Sequence, residues 1–168
     1  MTAAIFMERL NRLEQLYVDN PVYFLTCCTA DRMPILANDR IHDAFVAFCR
    51  EALKRNIFVG RYIVMPDHIH LYVKVPAPSE NISRWVKSLK NYLSHALRSG
   101  KVAAPHWQKG FFDHVLRSAE SYSDKWLYMV ENPVRAGLVK DWRDWQFQGE
   151  IHALQFGQSL RRSQTAAT

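Results

Sequence analysis

Apolar and polar residues follow two kinds of repeat along this chain. Runs rich in β-branched and aromatic residues are typical of strands, and apolar residues recurring every three or four positions are typical of amphipathic helices. The pattern predicts, in order, a short helix within 1–20, a strand over 22–29, a helix from 38 or 39 to about 55, strands over 57–64 and 68–75, a helix over about 80–98, a strand over 111–117 and a helix from 121 or 123 to about 132. Pro133 disfavours helical backbone in the residue before it, so the last helix should end there.

This order of elements predicts the fold class. Two β-α-β units around a hairpin give an α+β fold, a ferredoxin-like antiparallel sheet with helices packed on one face. No repeat or linker interrupts the pattern, so residues 1–150 are expected to form one domain. The segment after Val139 is ambiguous, and residues 151–168 are expected to be a flexible tail, disordered over the last dozen.

Composition removes several classes of protein. Among the 168 residues no apolar run approaches the ~20 needed to span a membrane, and the N-terminal segment lacks an apolar signal-peptide core, so we expect a cytoplasmic protein with no membrane partner. Cys27, Cys28 and Cys49 form no C-x-x-C pair and are interpreted as buried hydrophobes rather than disulfide or zinc residues. The net charge of +6 favours a polyanionic partner without identifying one.

His68 and His70 are the first candidates for chemistry. They are two positions apart in a predicted strand, so both imidazoles project from one face and can give a divalent metal two nitrogen ligands. A solvated strand face carrying two polar residues explains the same pattern, and the pair alone is a weak signal.

Tyr128 and Asn132 are the second candidates. Residues four apart on a helix lie about 6 Å from one another, so a hydroxyl and an amide oxygen would project together. A packed aromatic residue and a helix C-cap are the ordinary explanations for these two positions.

Three segments together carry a family resemblance. They are Met65–Leu71 (MPDHIHL), Trp107–Arg117 (WQKGFFDHVLR) and Tyr128–Val139 (YMVENPVRAGLV). In this order they resemble the single-tyrosine HUH transposases, named for a His-hydrophobic-His motif, and within that group the REP-associated tyrosine transposases. The resemblance extends over roughly residues 22–139 and implies a ferredoxin-like fold of the HUH endonuclease type.

The resemblance assigns roles to the candidates. It implies that His68 and His70 bind a divalent metal, that Asn132 completes the metal site and that Tyr128 is the nucleophile. A tyrosine of pKa ~10 is only about one part in a thousand ionised at neutral pH, and a metal on the phosphate would assist its attack. Imidazole suits Mn²⁺ better than Mg²⁺, and either is expected to support cleavage.

The same resemblance implies the substrate. It predicts an endonuclease and strand transferase that nicks single-stranded or hairpin DNA, such as a repetitive extragenic palindrome (REP), through a 5′-phosphotyrosine, and that is nucleoid-associated through this DNA. The segment 141–146 departs from the subgroup, which usually has a serine-containing run there.

Further residues are candidates for contacts around this site. Arg84, Lys87 and Arg98 share a helix face with Asn91 and Ser94 and could hold DNA phosphates, as could Arg117 and Arg135; a solvated face explains the helical set equally well. Asp113 is a candidate for orienting a ligand imidazole, whereas Asp67 is interpreted as a turn residue. The tryptophans Trp107, Trp142 and Trp145 could stack on unpaired bases, although packing is the better explanation for Trp107.

Two other functions fit parts of the pattern. A ferredoxin-like sheet also serves non-catalytic modules that bind single-stranded DNA or RNA. A hydrolase in which metal-bound water attacks would use the same histidines. The sequence also leaves open whether the protein is a monomer or a homodimer, in which Tyr128 could serve its own site or its partner's.

Overall fold

The computed structural model describes residues 21–75, 81–116 and 119–154. The helix expected within 1–20 and most of the expected tail lie outside these residues. The strands are β1 (Val22–Cys28), β2 (Phe58–Val64), β3 (His68–Lys74), β4 (Phe112–Leu116) and β5 (Gln148–Glu150). The helices are α1 (Asp39–Glu51), α2 (Ile82–Ser99), α3 (Ala119–Val130) and α4 (Asn132–Arg135).

The sheet has the order β4-β1-β3-β2-β5, and all its pairs are antiparallel. The first four strands reproduce the ferredoxin-like arrangement, which confirms the predicted fold class. β5 adds an edge strand that the sequence pattern does not predict. In the centre of the sheet Thr26 lies opposite His70 and Cys28 opposite His68.

One face of the sheet supports α1 and α2. The residues Ile69, Leu71 and Val73 of β3 project to this face and are fully buried. Tyr62 lies opposite Leu71, and its ring is 4.8 Å from that of Phe45 on α1. α2 packs beside α1 through its predicted apolar stripe, which includes Trp85, Leu89 and Leu93. These layers form the main hydrophobic core.

The other face carries α3. Tyr72 projects to this face, its hydroxyl donates to the Tyr122 carbonyl at 3.1 Å, and the two rings are 4.2 Å apart. Lys125 lies over the ring of Phe24, which is opposite Tyr72 in β1. The expectation of helices on one face therefore holds for α1 and α2, and α3 covers part of the face that also bears the histidines.

The end of α3 differs from the prediction. α3 stops at Val130, and the short helix α4 begins at Asn132 with Pro133 in its first turn, where a missing backbone N–H costs nothing. Pro133 therefore starts a helix rather than terminating one.

The loop before β4 is fastened to α2 by a buried polar network. His106 is 4% exposed, and its Nδ1 lies 3.0 Å from the Ser94 hydroxyl. The indole N–H of Trp107 donates to the same hydroxyl at 3.0 Å and to the Lys90 carbonyl. Ser94 is consequently buried, and its expected place on an exposed basic face is wrong. Trp107 packs, as expected.

The chain after α4 returns to the sheet. Trp145 is buried and donates to the Val64 carbonyl at 3.1 Å, so it is not available to stack on bases. Beyond β5, Ile151 and His152 still donate backbone hydrogen bonds to β2. The chain is thus held to the sheet past residue 150, where the flexible tail was expected to begin. The three cysteines are free and buried, as expected. Within the described ranges, no helix has the length and apolar character to cross a membrane.

Candidate active site

His68 and His70 lie side by side on β3, as the strand alternation predicts. Their ring centroids are 4.7 Å apart. His68 Nδ1 is 2.7 Å from Asp67 Oδ1, and His70 Nδ1 is 2.8 Å from the Thr26 hydroxyl. A carboxylate can only accept, so His68 donates from Nδ1 and keeps the lone pair on Nε2. Anchoring both Nδ1 atoms leaves the two Nε2 atoms as the nitrogens that can bind a ligand.

Burial favours the neutral form of both imidazoles. It lowers the pKa of His70 to about 3, and the positive charges of a protonated His68, Arg32 and Arg135 act in the same direction. Burial also lowers the pKa of His68, against the opposing effect of the hydrogen bond that His68 donates to Asp67. Neutral imidazole is the form that ligates a metal.

The donor set fits a weakly held divalent cation. A ligand imidazole commonly donates its other N–H to a carboxylate, as His68 does to Asp67. In the part of the chain that the structure describes, no three His, Cys, Asp or Glu side chains converge on a metal position. A third protein ligand would therefore have to be another residue type, such as the amide of Asn132.

Tyr128 lies in the last turn of α3, and α3 packs on the face of the sheet that bears the histidines. Its side chain is 66% exposed. The Arg135 guanidinium is 4.3 Å from the centre of the Tyr128 ring and donates to the Tyr128 carbonyl at 2.9 Å. Arg135 thus fixes the end of α3 while the tyrosine remains accessible to a large substrate.

Asn132 is joined to Tyr128 through the same arginine. Its Oδ1 accepts from Arg135 at 2.9 Å, and its Nδ2 is buried without a hydrogen-bond partner among the residues that the structure describes. A buried amide N–H without an acceptor is costly. To ligate a metal, Oδ1 would have to share its second lone pair or release Arg135.

The other residues expected to contact DNA do not all lie on the face of the sheet that bears the histidines. Arg84, Lys87 and Arg98 are exposed on α2, on the opposite side of the sheet from the histidines. Arg135 lies beside Tyr128, whereas Arg117 lies outside the described residues.

Asp113 does not contact the histidines. It lies opposite Leu25 in β1 and so projects to the face of α1 and α2. The carboxylate that orients an imidazole is Asp67. Its position directly before His68 is the sequence feature that indicates this role. Asp67 also fits the turn between β2 and β3, and it was interpreted as a turn residue for that reason.

Arg32 lies at the site, although it was not among the candidate residues that the sequence indicated. Its guanidinium nitrogen is 3.3 Å from Asp67 Oδ2. It follows β1 in a loop with no periodic pattern, so nothing in its local sequence indicates that it reaches the start of β3.

Known proteins are similar to this chain in both sequence and fold. The family model for IS200-like transposases matches residues 17–127. A REP-associated tyrosine transposase from Escherichia coli (strain K12) is 23% identical over 82% of this chain and 81% of its own length. A relative from Haemophilus influenzae is 24% identical over 75% of this chain and 77% of its own.

A solved structure is similar to this chain in fold. The REP-associated tyrosine transposase bound to a REP hairpin superposes with a TM-score of 0.65 at 24% identity, over 79% of this chain and 78% of that one, which shows a shared fold. The predicted resemblance is confirmed. The family match ends one residue before Tyr128, and the roles of His68, His70, Tyr128 and Asn132 all stay predictions. Because the match spans well over half of its residues, the chain belongs to the IS200-like transposase family.

Proposed function

We propose that this protein is a metal-dependent endonuclease and strand transferase that cuts single-stranded or hairpin DNA with Tyr128. The observation that carries the proposal is a pair of imidazoles, each anchored at Nδ1, on the face of the sheet where α3 presents an exposed tyrosine. Membership of a transposase family supports a reaction on DNA.

The proposed chemistry is a transesterification. The hydroxyl oxygen of Tyr128 attacks phosphorus, the bond from phosphorus to the 3′ oxygen breaks, and that oxygen leaves as a 3′ hydroxyl carrying the proton that the tyrosine gives up. The product is a 5′-phosphotyrosine. A later 3′ hydroxyl reverses the step and rejoins a strand without an external energy source, since one phosphodiester is exchanged for another.

Different residues of the chain have different roles in the proposed reaction. His68 and His70 would hold Mn²⁺ or Mg²⁺, with Asn132 as a third ligand, and a bound cation would neutralise charge on the phosphate oxygens. Arg135 positions Tyr128 through its carbonyl and ring and places a fixed positive charge near His70.

The substrate proposal is narrower than the catalytic one. The structurally similar transposase is bound to a REP hairpin, which supports palindromic DNA as the substrate here. The segment 141–146 lies outside the family match, so the recognised sequence need not be shared.

Cleavage of a labelled hairpin with single-stranded flanks tests the proposal. With Mn²⁺, the wild type should convert 3′-labelled DNA to a protein-linked band on a denaturing gel and 5′-labelled DNA to a shorter free fragment. Tyr128→Phe should do neither, because the phenyl ring keeps its packing and loses the attacking oxygen.

Tyr92→Phe is the matched control. Tyr92 is also an exposed tyrosine on a helix, on the other side of the sheet, and its variant should cut normally. A wild type that binds the hairpin without cutting it would instead support a non-catalytic binding module. Cutting without a protein-linked band would support attack by water.

A further inference from the structure

The loop after β1 has an unusual backbone. Asp31 and Arg32 both have positive φ, at 51° and 55°. Left-handed backbone is disfavoured for residues other than glycine and persists only where the surroundings impose it. Two such residues in succession show that this loop is held in place against its local preference.

Buried hydrogen bonds impose this conformation. Thr29 is fully buried, and its backbone N–H donates to the Asp67 carbonyl at 2.9 Å. The Thr29 hydroxyl lies 2.9 Å from the Met33 carbonyl and 3.0 Å from the Asp67 carbonyl. The next residue, Ala30, donates to the His106 carbonyl at 3.0 Å. The loop is therefore tied to the turn that leads into β3.

One carboxylate then connects this loop to the histidines. Asp67 Oδ1 accepts from His68, and Asp67 Oδ2 is 3.3 Å from Arg32. The Asp67 carboxylate thus lies between the Arg32 guanidinium and the His68 imidazole. The charge of Arg32 acts on both His68 and His70. The Arg32 side chain is 54% exposed. Because arginine has five N–H donors in a planar fork, several remain for an acceptor from solvent.

We propose that Arg32 binds a backbone phosphate of the DNA strand at the histidine pair. The proposal rests on the proposed function, which places that strand on this face of the sheet. A guanidinium fork matches two phosphate oxygens. An exposed ion pair of this kind contributes little to stability, so the fold does not depend on the pair between Arg32 and Asp67.

Binding without cleavage tests this inference directly. The affinity of Arg32→Gln for a fluorescent single-stranded hairpin is measured by anisotropy over a range of salt concentrations, in EDTA so that no strand is cut. Loss of one charged contact should weaken binding roughly 10- to 100-fold. It should also reduce the slope of log affinity against log salt by about 0.7 to 0.9, the contribution of one phosphate. Arg50→Gln, an exposed arginine on α1 across the sheet, should change neither quantity.

A glycine variant separates binding from folding. Arg32→Gly accepts a φ of 55° without strain, so its Tm should equal or exceed that of Arg32→Gln while its DNA affinity falls equally. Wild-type affinity and salt slope in Arg32→Gln would overturn the inference, as would a Tm loss that accounts for the weaker binding. If the wild type binds the hairpin without cutting it and Arg32→Gln binds more weakly, the catalytic proposal fails and the phosphate contact stands. If the wild type cuts and Arg32→Gln binds with wild-type affinity, the phosphate contact fails and the catalytic proposal stands.

Discussion

Asp67→Asn tests whether the histidine pair is built to hold a metal. The carboxylate accepts from His68 Nδ1 at 2.7 Å, a charge-assisted bond that fixes the ring and keeps the lone pair on Nε2. Asparagine preserves the shape and can still offer an oxygen, but it removes the negative charge.

The expected loss follows from the position of Asp67 behind a ligand. Removing such a partner typically lowers metal affinity 10- to 100-fold, or about 1.4 to 2.7 kcal/mol. We expect Asp67→Asn near the lower end, because the amide oxygen can still accept, and Asp67→Ala near the upper end. The backbone carbonyl that anchors Thr29 is unchanged in both variants, so the loop should keep its conformation.

Free Mn²⁺, counted by electron paramagnetic resonance during a titration, measures this affinity without any need for cleavage. Arg32→Gln is the matched control, since it removes the other partner of Asp67 and leaves the bond to His68. In a His68→Ala background, Asp67→Asn should cause no further loss. Unchanged Mn²⁺ affinity in Asp67→Asn would refute the reasoning, and so would an equal loss in Arg32→Gln.

Other predictions follow from the same geometry. His70→Ala should abolish cutting and largely keep DNA binding in a filter-binding assay, because phosphate contacts dominate affinity; parallel loss of both would assign His70 to the fold or to the DNA contact. Ser94→Ala should lower the free energy of unfolding by about 1–3 kcal/mol in a urea titration, because it removes the hydroxyl partner of the buried His106 Nδ1; unchanged stability would contradict this. Mixing Tyr128→Phe with His70→Ala should restore no cleavage, because α3 packs on the sheet of its own chain; recovery would show that the tyrosine acts in a partner subunit. Lys87→Gln should leave hairpin affinity unchanged, because α2 lies across the sheet from the histidines; weakened binding would place DNA on that helix.

The sequence predicts those parts of the fold that depend on local periodicity. Alternation in β3 correctly places the histidines on one face and Leu71 on the other, and the apolar stripe of α2 is buried as expected. The pattern does not say which side of the sheet a helix occupies, so the position of α3 had to come from tertiary contacts. β5 has only three residues, Gln148, Gly149 and Glu150, without strand propensity, and pairing with β2 imposes its conformation.

In the site, too, local sequence patterns predict some features, and only tertiary contacts reveal the others. The roles of the histidines and Tyr128 are predicted by spacing and by family resemblance, and they stay predictions. Ser94 has a polar side chain on a helix, and only its contact with His106 shows that it serves the core. Arg32 reaches Asp67 across 35 positions of sequence, a contact that no spacing rule predicts.

Mapping the covalent product by mass spectrometry tests the central proposal most directly. After reaction of the wild type with hairpin DNA and Mn²⁺, nuclease and protease digestion should leave one modified peptide. The proposal predicts a nucleotide joined through its 5′ phosphate to Tyr128. Cleaved DNA with no modified peptide, or with the nucleotide on another residue, would contradict it.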